Sequence, residues 1–482
     1  MALFDDRSSE LPLKEIPGDL GLPVLGPISD RFHYNYLEGH YEFIKSRVEE
    51  YNSTVFRMNL LFAEFIDVPD PRVIVLADSV SFPILFDHSK VEKKDVLIGN
   101  YVPPTSFTGG YKVSGYLDPS DEKHGKLKSL YLDLFASIHH KVIQVSQTCF
   151  ADFFDNLDSA VAAKGEASLN TYSDDMTLNL LLLVFFDIDP AKLRNKGPTM
   201  MRKWLALQFH SIASLGLPKW LSWLEDTLFH TFPWPSFLVK SDYQKIYDAI
   251  YVSSTPVFEE AKKLGLSKEE TCHNLVFMSG ANAYAGMSPL FRALIKWIHL
   301  AGENLHKDLA DEIRSVVKSE GGVVTLASIE KMSLTKSVVF EVLRMEPPAE
   351  NQYARAKEDM VISSHDASFQ VKKGELLFGY QPLAARDPKI FENPNEFIGT
   401  RFMGEEGEKL LKYGYWFNER QIVDPTPDNK QCPGKYTVLL LARLMVVEFF
   451  LRYDTFTAEI GKFATLIGST VTVKTLTKAT TK

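Results

Sequence analysis

Asn429-Lys430-Gln431-Cys432-Pro433-Gly434-Lys435 is the stretch on which the reading of this chain turns. It carries one of three cysteines in 482 residues. A loop rich in Pro and Asp (Asp424 to Asp428) precedes it, and an apolar helical pattern from Thr437 to Phe450 follows. Unpaired N–H groups and the helix dipole favour a thiolate just before a helix N-terminus. Such a thiolate ligates a metal or acts as a nucleophile. A loop cysteine that only packs fits the same residues, and at this point both readings stand.

Working outward, hydrophobic content of 45% with 12% aromatics is enough for a sizeable core, and a single large domain over 1–482 is expected. A net charge of −9 gives no support to nucleic-acid binding, which shows a basic footprint. Cys149, Cys272 and Cys432 are odd in number and far apart, which argues for a reducing compartment rather than a disulfide framework. No apolar run of about 18 residues appears, so no transmembrane helix is expected and any membrane or lipid-body contact would be peripheral. Met1 to Glu15 has several acids and no apolar core, unlike a secretory signal or a transit peptide.

Along the chain, residues 1–35 read as an irregular segment spaced by Pro12, Pro17, Pro23 and Pro27. Glu38 to Asn52 is helical in period, and Thr54 to Phe65 with Val73 to Ala77 reads as a small antiparallel sheet. Helical patterns dominate from Asp121 to Leu264. Ser267 and Glu270 read as a capping box that opens a long pattern to Leu300. Gly280, Gly286 and Pro289 interrupt that pattern and predict a local distortion. Helices are expected over Leu305 to Lys318 and Ile329 to Arg344, short strands over Met360 to Leu377, and an extended end over Thr455 to Val473. The fold class is mainly α with small β-sheets. Gly109-Gly110 is not followed by the helix a phosphate cradle needs, and reads as a turn.

Glu341 and Arg344, three apart on an apolar helix, can pair on one face. A buried pair needs a further hydrogen-bonding partner, and Arg401 is the candidate. A Glu-x-x-Arg helix, a later Arg401-Phe402, and a cysteine before a long apolar helix together resemble the cytochrome P450 superfamily. Its cofactor is haem b with an axial cysteine thiolate. The resemblance makes Cys432 the iron ligand. Lys430 stands where that superfamily usually has arginine. Phe417 lies further upstream of Cys432 than in the ordinary haem-binding loop.

That longer loop is similar to the plant branch that metabolises fatty-acid hydroperoxides: allene oxide synthases, hydroperoxide lyases, divinyl ether synthases and epoxyalcohol synthases. Leu13-Lys14-Glu15-Ile16-Pro17-Gly18, Lys93-Lys94-Asp95, Tyr116-Leu117-Asp118-Pro119-Ser120, Ser364-His365-Asp366 and Gly379-Tyr380-Gln381-Pro382 also look like it. The similarity runs over nearly the whole chain. It implies a fatty-acid hydroperoxide substrate, no reductase, and a cytoplasmic or plastid-associated enzyme. Met278 to Met287 lacks the acid and threonine with which oxygen-activating relatives deliver protons. A substrate that is already oxidised needs no such relay.

By the same resemblance, Asn282 hydrogen-bonds the hydroperoxide. The residue-level alternative is an amide that satisfies the kinked backbone. Lys93, His124, Lys128 and Lys430 match the branch's partners for the haem propionates, with Arg355 a weaker match. Leu97 occupies a position that is phenylalanine in allene oxide synthases and leucine in lyases. Ala281 replaces a bulkier residue, and Ala285-Gly286 looks like some divinyl ether synthases, as do Pro427-Asp428-Asn429-Lys430 and Lys474-Thr475-Leu476-Thr477-Lys478. Tyr353-Ala354-Arg355-Ala356 looks lyase-like. The expected activity is a divinyl ether synthase, then a lyase, an epoxyalcohol synthase and an allene oxide synthase. From other classes, a non-catalytic haem or lipid-particle protein stays open. A cysteine hydrolase lacks an adjacent histidine motif to serve as base.

Overall fold

The computed structural model of the chain describes residues 11–60, 70–214, 217–415, 424–464 and 468–480. Residues 1–10, residues 61–65 of the first expected strand, and Phe417 lie outside them. The element that orders the rest is the interrupted helix over 268–301. Ser267 opens it, its hydroxyl accepting the Glu270 N–H at 3.2 Å. Glu270 turns its carboxylate to Lys123 (2.9 Å). The helix Lys268–Phe277 then widens into a π-helical turn, Met278–Tyr284, before continuing as Ala285–Ala301. The predicted distortion therefore takes the form of a wide turn, a geometry common at functional sites. A Cβ at Gly280 would run into Met201 and lie 2.9 Å from the Trp204 ring. Glycine thus lets this turn press onto the helix Gly197–Gln208. Beyond Pro289, the buried Arg292 binds Asp174 (2.9 Å), Ser173 (3.0 Å) and Ser288 (2.7 Å), tying Ala285–Ala301 to the helix Leu169–Phe186.

The pattern after Cys432 forms the helix Lys435–Arg452. Most of its side chains are buried, as expected of a helix that is apolar on nearly every face. It packs on Val142–Lys164, Glu303–Ser319 and Ser333–Met345. One contiguous apolar cluster runs from Tyr34 to Val473.

A mixed sheet carries Val55–Asn59, Arg72–Leu76, Leu376–Tyr380, Asn351–Ala356 and Val91–Glu92, in that spatial order. Its first pair is antiparallel, as expected, with Val55 opposite Leu76. Arg72–Leu76 runs parallel to Leu376–Tyr380, with Ile74 opposite Leu377. A second sheet joins Leu13–Lys14, Ser368–Val371 and Met360–Ser363. A third joins the long hairpin Tyr453–Ala464 and Gly468–Lys478 to Ala167–Ser168. Gly109 and Gly110 have φ of 65° and 89° and form the expected turn.

Three expectations need correction. The irregular reading of residues 1–35 fails at Leu25–Phe32, a helix whose third position is Pro27; in the first turn proline loses no intrahelical bond. The single helix expected from Ile329 to Arg344 is two, Leu326–Glu330 and Ser333–Met345. The break is held by Glu312, whose carboxylate accepts the Leu334 (2.7 Å) and Thr335 (2.9 Å) N–H groups from another helix. The strand Asn351–Ala356 was not foreseen. Its central position depends on partners distant in sequence.

The Glu341–Arg344 pair is fully buried. Arg344 donates to both carboxylate oxygens (2.7 and 2.8 Å), Arg401 Nε adds a bond of 2.9 Å, and the Ile398 N–H one of 3.0 Å. The two guanidinium groups spend their remaining donors on backbone carbonyls of Ala385, Glu392, Asn393, Pro394 and Glu396. Breaking such a network from one side leaves uncompensated buried charge. Glu341→Ala is therefore expected to cost about 3–5 kcal/mol of stability. Arg401→Lys, which keeps the charge, should cost less, and urea unfolding midpoints check the order.

The Ser364-His365-Asp366 motif forms a second clamp. His365 Nε2 lies 2.6 Å from Asp387, which also accepts the Ser79 hydroxyl (2.7 Å) and the Ser79 (2.9 Å) and Lys389 (3.0 Å) N–H groups. Burial alone would raise the Asp387 carboxyl, but these donors bring it down to about 2. The bond to Asp387 raises the His365 imidazole. Asp387's contribution to stability is thus present above the usual carboxyl range and lost as pH falls toward about 2. That of His365 is complete below about pH 6.5 and fades as pH rises through its raised value. His365→Gln should accordingly destabilise most at pH 6, with the gap to the parent closing by pH 9 in denaturation midpoints.

Candidate active site

Cys432 closes a loop in which Asn429 ties three backbone groups together. Its Oδ1 accepts the Thr426 (3.2 Å) and Gln431 (3.1 Å) N–H groups, and its Nδ2 donates to the Asp424 carbonyl (2.8 Å). A Cβ at Gly434 would sit 2.7 Å from the Phe135 ring, so only glycine lets the turn close this tightly under the helix. Of the three cysteines, Cys432 lines the central cavity, whereas Cys149 and Cys272 are buried in the apolar core. Burial pushes the Cys432 thiol up, and the Gly434 N–H, Lys128 and Lys435 oppose that push. A metal ion supplies the further positive charge that keeps a coordinating thiol deprotonated.

The cavity holds about 550 Å³, within the range of small-molecule sites. Lys93, His124, Lys128 and Lys430 all line it. Lys93 donates to the Tyr353 carbonyl (2.7 Å), and His124 Nδ1 to that of Pro427 (3.1 Å). Lys128 donates to the carbonyls of Asn429 (2.8 Å) and Gln431. Lys430 reaches the carbonyls of Ser114 (3.0 Å) and Gly115 (3.3 Å). All these partners are neutral. Burial, then the neighbouring cations, push Lys93 and Lys430 down to about 7 and His124 to about 4. Burial pushes Lys128 down to about 8. A buried group of cations facing a cavity beside a thiol is unfavourable by itself, and an anionic ligand relieves it. A haem, with its iron and two carboxylates, fits this donor set.

Leu97, Ala281, Asn282 and Ala285 line the same cavity. The π-helical turn brings Ala281 and Asn282 to it together with Ala285 and Gly286. The Asn282 side chain is exposed toward the cavity, and its amide makes no hydrogen bond to a described residue. The alternative of an amide that satisfies the kinked backbone is therefore not what the geometry shows. Leu97 packs beside Gly115, where a Cβ would approach its Cδ2 to 3.0 Å.

The expected site residues Glu341, Arg344 and Arg401 lie away from the cavity and act in the core. Arg355 is turned from it as well, donating to the Gly374 carbonyl (3.0 Å). Several lining residues carried no signal in the sequence. Tyr34 and His40 come from a segment read as irregular or as an ordinary helix start, and Pro347-Pro348 follows directly after the helix Ser333–Met345. Glu346 and Glu350, on either side of that double proline, also face the cavity.

Asp78, His365 and Asp387 bring ligand-type atoms within 4.8 Å of one another. Their carboxylates already hold backbone donors, Asp78 those of Val80 (2.8 Å) and Ser81 (2.7 Å), so the group serves as a clamp.

Comparison with known proteins agrees with this geometry. The family model for cytochrome P450 matches residues 298–417. Allene oxide synthase 1, chloroplastic, of Solanum lycopersicum is 48% identical over 98% of this chain and 88% of its own length. The chloroplastic allene oxide synthase of Arabidopsis thaliana is 48% identical over 98% of this chain and 90% of its own. The divinyl ether synthase CYP74D3 of Nicotiana tabacum is 44% identical over the full length of both chains. Identity at this level across the whole fold, with a lone cysteine at a cation-lined cavity, means that the chain belongs to the cytochrome P450 family, in its plant fatty-acid hydroperoxide-metabolising branch, whose cofactor is a haem held by a cysteine thiolate.

Proposed function

We propose that this protein is a divinyl ether synthase, which removes water from a polyunsaturated fatty-acid hydroperoxide without O2, NADPH or a reductase. The observation that carries the reading is Asn282. Its amide has no hydrogen-bond partner among the described residues at the cavity, flanked by the small Ala281, Ala285 and Gly286, in a turn with no acid and no threonine. Bound beside Cys432, the haem supplies homolytic cleavage of the hydroperoxide O–O bond. Cys432 provides the thiolate. Lys93, His124, Lys128 and Lys430 pair with the propionates, which restores the charge that burial disfavours.

Asn282 donates a hydrogen bond to the hydroperoxide and orients it. Leu97 offers the substrate radical an apolar wall without a ring to assist its oxidation to a cation. The alanines leave room for the acyl chain to bend as the ether forms. The protein's part is orientation and exclusion of competing reactions.

Two observations favour other readings. The allene oxide synthases, at up to 49% identity, are more similar than the divinyl ether synthase at 44%. Leu97 and Tyr353-Ala354-Arg355-Ala356 favour a lyase, and an epoxyalcohol synthase shares the same first step. Product analysis separates all four. The purified protein, incubated with 9- and 13-hydroperoxides and no NADPH, is expected to yield an ether of intact chain length by mass spectrometry. Leu97→Phe should divert product to allene oxide derivatives. Cys432→Ser should abolish both turnover and the thiolate-type haem spectrum. Short aldehydes would make the protein a lyase, a strict NADPH requirement would overturn the reading, and bound haem without turnover would leave a non-catalytic haem protein.

We further propose that the enzyme works at a lipid surface, in the plastid that the word chloroplastic in its relatives' names supports. No helix among the described residues is long and apolar enough to cross a membrane. Trp220 and Phe237 are 72% and 70% exposed, and Trp223 is 58%. Leu22, Val24 and Leu25 are exposed to a similar degree. The Arg31–Asp226 ion pair and the Tyr36–His230 contact (3.2 Å) join the two segments. Tryptophans beside exposed leucines suit a membrane interface. Vesicle flotation should recover the parent protein, and the Trp220→Ser/Trp223→Ser pair should lower recovery several-fold. Equal recovery would remove this surface from consideration.

A further inference from the structure

We infer that Glu350 is a specificity-determining residue: its carboxylate turns the substrate's own carboxylate away from its end of the cavity and so sets the direction in which the acyl chain lies. This inference rests on the fatty-acid hydroperoxide reading above. Its physical basis is a cavity-lining carboxylate with which no lysine or arginine among the described residues pairs.

The backbone of Glu350 is fixed, because its carbonyl accepts the Gln381 N–H at 2.8 Å just before the strand Asn351–Ala356 begins. The side chain is three-quarters buried, with 25% of its surface exposed. Among the described residues its one side-chain partner is His40, with Nδ1 3.4 Å from Oε2. No lysine or arginine among the described residues pairs with it. His40 is itself held in place. It stacks on the Tyr34 ring at 4.0 Å and 13°, and its Nε2 lies 3.3 Å from Asn35 Oδ1.

Glu346, the other acid lining the cavity, is the contrast. Lys296 pairs with it at 2.7 Å and the Trp297 N–H reaches it at 3.1 Å. The field of Glu350 is felt by its neighbours: burial first, then the Glu350 charge, pushes the Tyr34 and Tyr380 hydroxyls up.

A carboxylate only accepts hydrogen bonds, so an ionised fatty-acid head group offers Glu350 no donor, and like charges in a water-poor cavity repel strongly. The methyl end of the acyl chain therefore lies toward Glu350 and the carboxylate end away from it. Position along the chain then decides which hydroperoxide reaches Asn282. The 9- and 13-hydroperoxides place the reacting oxygen at different distances from the head group, and a fixed direction presents one of them better. Reversing the chain would favour the other.

The test measures kcat/KM of the holoenzyme for 9- and 13-hydroperoxides, each as the free acid and as the methyl ester. The parent should prefer one regioisomer as the free acid. Glu350→Gln should shift that 9-to-13 ratio about tenfold or more toward the disfavoured isomer, the size expected for removing a like-charge clash. Glu350→Asp, which keeps the charge, should retain the parent's preference. With methyl esters the parent and Glu350→Gln should give the same ratio. A ratio for the free acids that is unchanged by Glu350→Gln, or an equal shift for acids and esters, overturns the inference, because a merely steric role would act on both. Absence of any free-acid preference in the parent overturns it too. If the parent consumes neither hydroperoxide, the functional reading fails first and the inference with it.

Discussion

The Glu341 carboxylate is the point on which the architecture hangs. It takes two bonds from Arg344, one from Arg401 and one from the Ile398 N–H, all in the interior. Two guanidinium groups around one carboxylate leave excess positive charge, and the carbonyls of 385–396 absorb it. Irregular backbone, whose own polar groups would otherwise be unpaired, is thereby folded onto the helix Ser333–Met345. That helix packs on Lys435–Arg452, the helix that begins directly after the cysteine loop. Core electrostatics and the position of the thiol are thus parts of one packing arrangement.

At the cavity the same physics runs the other way. Lys93, His124, Lys128 and Lys430 face neutral carbonyls where the Glu341 cluster has a carboxylate. Their depressed proton affinities record an arrangement made for a ligand that brings negative charge. Lys128 has a second task, since its bonds to Asn429 and Gln431 also shape the loop that presents Cys432. One side chain thus both faces the cavity and shapes the loop that presents the cysteine. Glu350 lines the same cavity with the opposite sign, and the proposed direction of the acyl chain rests on that difference.

Much of the chemistry was legible because it is carried by residue type at short spacing. Cys432 before its helix, Glu341 with Arg344, and the acid-free turn Met278 to Met287 each appear within a few positions of sequence. The break at Gly280, Gly286 and Pro289 announced a distortion, though not that it would be a π-helical turn or that Gly280 is demanded by Trp204. Glu350, His40 and Tyr34 gave no signal, because nothing local marks a glutamate after a double proline as facing a cavity. Leu25–Phe32 was misread because four prolines look irregular, although Pro27 sits in the first turn of a helix. The break before Ser333 was invisible for a related reason, its cap being Glu312 on another helix.

By itself the sequence determined the helical class and the absence of an acid and a threonine from Met278 to Met287, and its resemblance to the cytochrome P450 superfamily gave the cysteine its cofactor, since backbone propensity and motif are properties of residues in order. Tertiary structure alone decided which cations face the thiol's cavity, that Asn282 has no hydrogen-bond partner among the described residues, that Arg355 is turned away, and that a lysine pairs with Glu346 while Glu350 has a histidine. The physical reason is that charge and hydrogen bonding are settled by neighbours in space. Those neighbours come from segments as far apart as His40, Lys296 and Lys430, and only folding brings them together.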